Sequence, residues 1–395
     1  MKKALIYLLT FAVAFCMFGC GAEGSNEETN SITEETQMSA ETEFPVDKYD
    51  LDAYMTPYWQ GDTVYQESVM VLENADGTIS DIALMYGAKQ IVSVRTSDLM
   101  TQFKEGTDYA LAEGKLRILP GSAIPTVAYS DYYPTEDTGK TMVRNESYGS
   151  GYIFYAEGAA MHKLQIAVTY IHEDTFFSEI PACKADNLPK TKAKLENGEV
   201  LKITVFGDSI STGLNSSSHV GAAPMADPWF NMFTKKLQQK YPNAQISLYN
   251  PSVSGKTSQW GAQEAATLLE ETDLCIIGFG ANDGVGRNPA PIFKYNIQVI
   301  MDAAKAKNPD CEFVLISTMV PNKEAGNYYG IQKDYLPELL SLETTGVAVA
   351  DVTTFHEDLL QIKRYCDISG NNVNHPNDFM ARAYAQILWQ TVVGY

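Results

Sequence analysis

The chain has 395 residues, enough for two or three domains of ~100–200 residues and a full-sized core, so it is not a small disulfide-stapled scaffold. Apolar residues make up 45% and charged residues 20%, the balance of a globular protein and not of a disordered one. A formal charge of −20, from 49 acidic against 29 basic residues, repels phosphate backbones and anionic headgroups and argues against nucleic-acid binding.

In chain order, residues 1–19 carry Lys2 and Lys3 and then an apolar run from Ala4 to Phe18, the layout of a secretory signal peptide. The run closes on Gly19-Cys20-Gly21 and resembles a bacterial lipoprotein signal, which implies lipidation of Cys20 as the new N-terminus. Cys16 lies inside the apolar run and Cys20 is followed at once by polar sequence, so Cys20 is the better candidate. The alternative is an uncleaved anchor, for which the run is short. Removal of residues 1–19 takes two positive charges with it, from −20 to −22. The expected location is extracytoplasmic, at the cell surface or membrane, with contact to the membrane through the N-terminal lipid only. Residues 20–45 hold seven Glu and no Lys or Arg, so this acidic, like-charged stretch is expected to be a disordered tether. It would hold the body roughly 25–30 Å from the lipid.

Residues 46–198 alternate in short runs broken by turn signals. Examples are Ser68–Leu72 before Asn74-Ala75-Asp76-Gly77, Gln90–Val94, Leu116–Leu119, Gly151–Tyr155 and Leu164–Tyr170. Period-2 runs at this spacing predict a β-sandwich or jelly-roll domain. The region holds thirteen Tyr, among them Tyr129, Tyr132, Tyr133, Tyr148, Tyr152 and Tyr155. Exposed tyrosines can stack on sugar rings, and alternating Tyr also serves plain strand packing. The seam falls between Lys184 and Val200, where Pro, Lys and Glu interrupt the apolar pattern.

Residues 199–395 read strand, helix, strand, helix. The strands are Lys202–Phe206, Gln245–Tyr249, Leu274–Phe279, Phe313–Ser317 and Val347–Ala350. The helices are Asp227–Lys240, Gln259–Glu270, Pro291–Lys307, Tyr329–Leu342 and Pro376–Val392. Apolar strands joined by helices predict an α/β fold with a doubly wound, parallel five-stranded sheet, in which ligands bind at the carboxyl ends of the strands. No cysteine pair has metal-ligand spacing, and Cys275 and Cys311 lie in apolar runs as buried small hydrophobes.

The first strand runs into Phe206-Gly207-Asp208-Ser209, the second into Asn250-Pro251-Ser252-Val253-Ser254-Gly255, and the third into Gly280-Ala281-Asn282-Asp283. Asn372-Val373-Asn374-His375-Pro376 precedes the last helix. A serine at a strand-to-loop corner after a glycine offers an exposed hydroxyl and a backbone N–H, as an acyl-transfer nucleophile requires. Gly207-Asp208-Ser209, Gly255, Gly280-x-Asn282 and His375-Pro376, in that order from Leu201 to the C-terminus, resemble the four blocks of the SGNH (GDSL-like) hydrolase family. The resemblance implies a serine esterase needing no cofactor and no metal. Ser209 would be the nucleophile and His375 the general base, with Ser209 N–H, Gly255 N–H and the Asn282 amide holding the oxyanion. Asp208 would order the nucleophile loop.

The family usually places an aspartate three residues before the histidine, and here that residue is Asn372. In a serine protease, changing the triad Asp to Asn costs on the order of 10⁴ in kcat by stabilising the wrong imidazole tautomer. Three substitutes are open: the Asn372 side-chain carbonyl, a backbone carbonyl, or a nearby carboxylate such as Asp378 or Asp367. A Ser–His dyad with a carbonyl orienting His375 is the expectation, as in carbohydrate esterases that resemble this chain in carrying a β-sandwich ahead of an SGNH domain.

Some motifs mislead. Ser252–Thr257 imitates the end of a P-loop, but the first glycine of that motif would fall on Asn250; Gly278-x-Gly280 lacks the third dinucleotide glycine, which would fall on Asp283. His172-Glu173-Asp174 and His356-Glu357-Asp358 lack metal spacing and read as solvated surface. Trp260 reads as a pocket wall or a helix-packing residue. The expected partner is an O-acylated, in particular O-acetylated, glycan. The alternatives are a non-catalytic glycan-binding lipoprotein with a degenerate site and a lipase or lysophospholipase-type esterase.

Overall fold

The computed structural model describes residues 48–395. The expected signal peptide (1–19), the lipidation site Cys20 and the tether (20–45) lie outside the described residues.

The N-terminal region holds strands β1 (Thr63–Met70), β2 (Ala88–Thr96), β3 (Gln102–Phe103), β4 (Tyr109–Ala112), β5 (Lys115–Ile118), β6 (Thr141–Val143), β7 (Tyr152–Phe154) and β8 (Gln165–His172). They form one antiparallel four-stranded sheet in the order β1-β8-β2-β3 and two separate hairpins, β4-β5 and β6-β7. Short helices α1 (Leu51–Tyr54) and α2 (Tyr129–Tyr132) flank them, and α3 (Pro189–Asn197) leads out, starting on a proline that needs no N–H there and ending on Gly198 in the left-handed conformation.

Strands β9 (Val200–Gly207), β10 (Gln245–Tyr249), β11 (Leu274–Gly278), β12 (Glu312–Ile316) and β13 (Val347–Ala350) then form a parallel sheet in the order β10-β9-β11-β12-β13. The order reverses direction at β9, which places the switch-point crevice between the ends of β9, β10 and β11. The central strands are apolar and buried because helices cover both faces: α4 (Trp229–Lys240), α5 (Ser258–Leu268), α6 (Ala281–Val285), α7 (Ala290–Lys307), α8 (Tyr335–Leu340), α9 (Val352–Leu359), α10 (Tyr365–Ile368) and α11 (Asp378–Val392). The expected helix over Tyr329–Leu342 is a 3₁₀ turn, Gln332–Asp334, followed by α8. Pro337 lacks the N–H that a longer helix would need from it, and it is accommodated in the first turn of α8.

Helix α11 is buried almost all round, from Phe379 through Val392, because it packs on β13 and α4 on one side and on β1 on the other. One hydrophobic core therefore takes in Val69, Val94 and Tyr170 from the first sheet together with Leu201, Ile276 and Ile387. The seam expected near residue 199 is a turn within one packed unit that takes in all the described residues.

Polar contacts fix the two regions further. Lys363 Nζ and Glu67 Oε1, both fully buried, lie 2.6 Å apart, and Glu67 also accepts the Tyr170 hydroxyl at 2.6 Å and the Met85 N–H at 2.9 Å. Asp367 accepts the Met70 N–H at 2.8 Å, Gln165 donates to the carbonyls of Cys366 and Ser369, and Asn377 donates to Ser68. Strands β1 and β8 thus grip segment 363–377, which carries His375.

Both histidines read as surface are buried. His172 stacks on Tyr86 with ring centroids 3.8 Å apart, and His356 sits on the inner face of α9 against Tyr365, where burial pushes its pKa down to about 3. Their acidic neighbours in sequence suggested solvent; strand and helix periodicity turned the imidazoles inward.

Candidate active site

The end of β9 is shaped by Gly207. A Cβ there would lie 2.1 Å from the Gly278 carbonyl oxygen and 2.3 Å from Ser211 Oγ, so only glycine lets β9 turn beside the end of β11. The next residue, Asp208, is buried and accepts the Ile210 N–H at 3.0 Å, which ties its carboxylate to the nucleophile loop. Burial, with the nearby Asp283 carboxylate, pushes its pKa up to about 7. Ser209 follows, with its Oγ 2.9 Å from His375 Nε2, a hydrogen bond between two buried residues each only 5% exposed.

The loop after β10 is held beside Ser209 by Ser252, whose hydroxyl accepts the Gly207 N–H at 3.0 Å and donates to the Val205 carbonyl at 3.2 Å. It then passes Gly255, exposed and at φ +77°, a backbone conformation that favours glycine; a Cβ there would meet nothing within 4 Å, so the space beside it is open. Asn282 donates one amide hydrogen to the Lys256 carbonyl at 2.9 Å, which links the third strand end to the second and leaves it another hydrogen to donate. Asp283 supports this from below through the N–H and hydroxyl of Ser258 at 2.9 and 2.6 Å. Ser209, Gly255 and Asn282 thus stand at the carboxyl ends of three adjacent strands. Trp260 packs on Phe206, 5.8 Å between centroids, as a helix-packing residue.

The expectations for histidine orientation are corrected. Asn372 does not face the imidazole: its side chain accepts the Tyr132 hydroxyl at 3.1 Å and donates to the Phe154 carbonyl at 2.8 Å, and its backbone carbonyl accepts the Asn322 amide at 2.9 Å. Its φ of +66° turns it toward β7 and α2. Asp378 accepts the Ser217 N–H, and Asp367 is committed to Met70 and Arg364. Two residues outside those motifs lie at His375 Nδ1 instead. Asn371 Nδ2 is 2.9 Å away, and Glu157 Oε1, from the turn after β7, is 3.5 Å away. Glu157 also accepts Tyr155 OH and Asn371 Nδ2, each at 2.9 Å. Burial pushes the Glu157 carboxyl up, but the hydrogen bond and charge offered by His375, with the bonds from Asn371 and Tyr155, outweigh it and hold the group at about 2. Nothing in the sequence near Glu157 marked it, because a lone acid after a short strand has no pattern and its partner lies on a distant loop.

Residues 205–383 match the model of the GDSL-like lipase/acylhydrolase family. The chain carries a GDSL-like lipase/acylhydrolase domain. Among solved structures, the chain is similar to a two-domain esterase active on acetylated mannans (19% identity, 53% of each chain, TM-score 0.42) and to the acetylxylan esterase Axe2 from Geobacillus stearothermophilus (15%, 49% of this chain and 94% of that one, 0.39). A member of the lipolytic G-D-S-L family from Veillonella parvula is similar at 16% identity over 48% of this chain and 97% of its own (0.38). The likeness spans about half the length of the two-domain esterase. No curated protein matches the chain. Among the described residues no group of three or more His, Cys, Asp or Glu is placed to hold a metal ion.

Proposed function

We propose that the protein is a serine esterase that removes O-acyl, in particular O-acetyl, groups from a glycan, and that it works outside the cytoplasm on a lipid anchor at Cys20. The observation that carries the catalytic reading is the 2.9 Å contact between Ser209 Oγ and His375 Nε2, beside the open flank of Gly255 and the amide of Asn282. In the acylation step Ser209 Oγ bonds to the ester carbonyl carbon as its proton passes to His375 Nε2. The carbonyl oxygen then carries the negative charge, for which Ser209 N–H, Gly255 N–H and the Asn282 amide are the donors. Collapse breaks the bond to the sugar oxygen, which takes the proton from His375. Water, deprotonated by the same imidazole, then releases the acid and restores Ser209. One oxyanion donor is typically worth ~10²–10³ in rate.

The glycan reading draws on a separate cavity of about 430 Å³, bordered by the N-terminal region and the acylhydrolase domain and lined by none of Ser209, Gly255, Asn282 and His375, so it would hold a sugar away from the reacting ester. Tyr132, Tyr133 and Tyr148 line it together with Asn322, Lys323 and Arg364. Tyr133 is held rigid by its hydroxyl bond to Glu324 (3.2 Å) and by the Arg144 guanidinium stacked 3.9 Å over its ring, while Tyr148 stays 46% exposed. The exposed Tyr148 ring among polar groups of both signs suits stacking on a sugar. The strongly negative chain opposes work on an anionic membrane surface.

The test is hydrolysis of p-nitrophenyl acetate and of acetylated oligosaccharides by the full chain and by its Ser209→Ala variant. Turnover that disappears in the folded variant is the expected result. Turnover unaffected by Ser209→Ala, or sugar binding with no turnover in the wild type, would refute the esterase.

A further inference from the structure

We propose that Glu157, supplied by the N-terminal region and not by the acylhydrolase domain, is the positioning residue that sets the productive tautomer of His375. The inference rests on the esterase reading above.

To act as a base toward Ser209, the imidazole must present a lone pair at Nε2, so its proton must sit on Nδ1. An Nδ1–H needs an acceptor. Among the groups that meet Nδ1, Asn371 offers only its NH₂, because its amide orientation is fixed: Asn371 Oδ1 accepts the backbone N–H groups of Val373, Asn374 and His375 at 2.9, 3.0 and 3.1 Å. A flipped amide would set a donor against three donors.

Asn371 Nδ2 therefore has two hydrogens for three neighbours: Glu157 Oε1 at 2.9 Å, Asn374 Oδ1 at 3.0 Å and His375 Nδ1 at 2.9 Å. If one hydrogen goes to Nδ1, the imidazole proton is driven to Nε2 and points at Ser209, the unproductive tautomer. If both go to Glu157 and Asn374, Nδ1 keeps its proton and Glu157 Oε1, 3.5 Å away, receives it. The carboxylate decides between the two states in favour of the second. It draws an Asn371 hydrogen to itself, and it is the negative charge beside the imidazolium that forms when Ser209 gives up its proton. Contacts of this kind are commonly long in the free enzyme and tighten as charge develops.

Glu157 is built for this. Tyr155 donates its hydroxyl to the same oxygen, and β7, which leads into this turn, is anchored by the Asn372 amide on the Phe154 carbonyl. The residue that breaks the family pattern thus fastens the strand that delivers the carboxylate.

The experiment measures kcat and KM for p-nitrophenyl acetate in the full chain, in Glu157→Gln and in Glu157→Asp, with ¹⁵N spectra of the histidine side chains recorded at a pH where His375 is neutral. With five histidines the assignment is tractable. Expected are a loss of at least ~10²-fold in kcat for Glu157→Gln, toward the ~10⁴ of a triad Asp→Asn change, an unchanged KM and a partial recovery in Glu157→Asp. The His375 proton is expected on Nδ1 in the wild type and on Nε2 in Glu157→Gln. The double variant Glu157→Gln/Asn371→Asp, which returns a carboxylate beside Nδ1, should regain activity over the single one. An unchanged tautomer, or a kcat within threefold of the wild type, overturns the proposal. Activity that survives Ser209→Ala would instead refute the esterase reading, and the tautomer measurement would still decide the role of Glu157.

Discussion

Replacing Asn372 by aspartate would restore the family pattern three residues before the histidine, and the pattern alone says activity should rise. The structure says the opposite. The Asn372 side chain is wholly buried, and its Nδ2 is the donor to the Phe154 carbonyl at 2.8 Å. Asn372→Asp deletes that donor and sets a carboxylate oxygen against a carbonyl oxygen, while the Tyr132 hydroxyl can still donate to the other oxygen. A buried acceptor left without a partner costs ~1–3 kcal/mol, and burying a charge beside it adds to this, so a loss of ~2–4 kcal/mol is expected. At an m-value of roughly 3 kcal/mol/M the urea midpoint should fall by about 1 M. Tryptophan fluorescence through a urea series gives the midpoint, and p-nitrophenyl acetate turnover on the same samples gives kcat. The expected outcome is a lower midpoint with kcat unchanged or reduced. A kcat that rises with the midpoint unmoved would refute the reasoning, because it would mean that residue 372 reaches the imidazole.

Lys363→Met should cost ~3–5 kcal/mol in urea unfolding, since it strands the Glu67 carboxylate in a dry site, and adding Glu67→Gln should recover most of the loss. Asp208 gives a pH dependence with a definite sign. Its folded pKa of about 7 lies above the ordinary 3.8, so the folded state holds the proton that the unfolded chain releases first, and stability should fall as pH rises from about 4 to 7. Asp208→Asn should flatten that limb of a stability-versus-pH curve, and an unaltered slope would assign it elsewhere. Glu157 works the other way: its folded pKa near 2 contributes stability that is present above the unfolded value and lost as pH falls through about 2.

Ser209, Gly255, Asn282 and His375 were legible in the sequence because each sits in a short motif where a strand or helix begins or ends, and apolar periodicity located those ends. The five strands of the parallel sheet came out for the same reason. Glu157 and Asn371 could not be read this way. Their roles depend on a fold-wide meeting between an irregular turn and a distant loop, and Asn371 was indistinguishable in a run that also holds Asn372 and Asn374. The two buried histidines show a related limit. Neighbouring Glu and Asp suggested solvent, but His172 ends β8 with its acids beyond the strand, and each step along α9 turns the side chain by about 100°, so charge beside a histidine says little about the histidine itself.

The serine stands on the end of β9, while the histidine's segment is clasped by β1 and β8 and also held to the parallel-sheet side through Asn322 on the Asn372 carbonyl and Ser217 on Asp378, so both sheets set the Ser209–His375 pair. Their 2.9 Å separation is therefore a tolerance between two sheets and not a property of one loop. A slip of 1 Å between the sheets, too small to expose much core, would be enough to uncouple them. Loss of turnover should accordingly precede loss of tryptophan burial when the protein is warmed, and ligands that bridge the two regions should protect activity more than they raise the melting temperature.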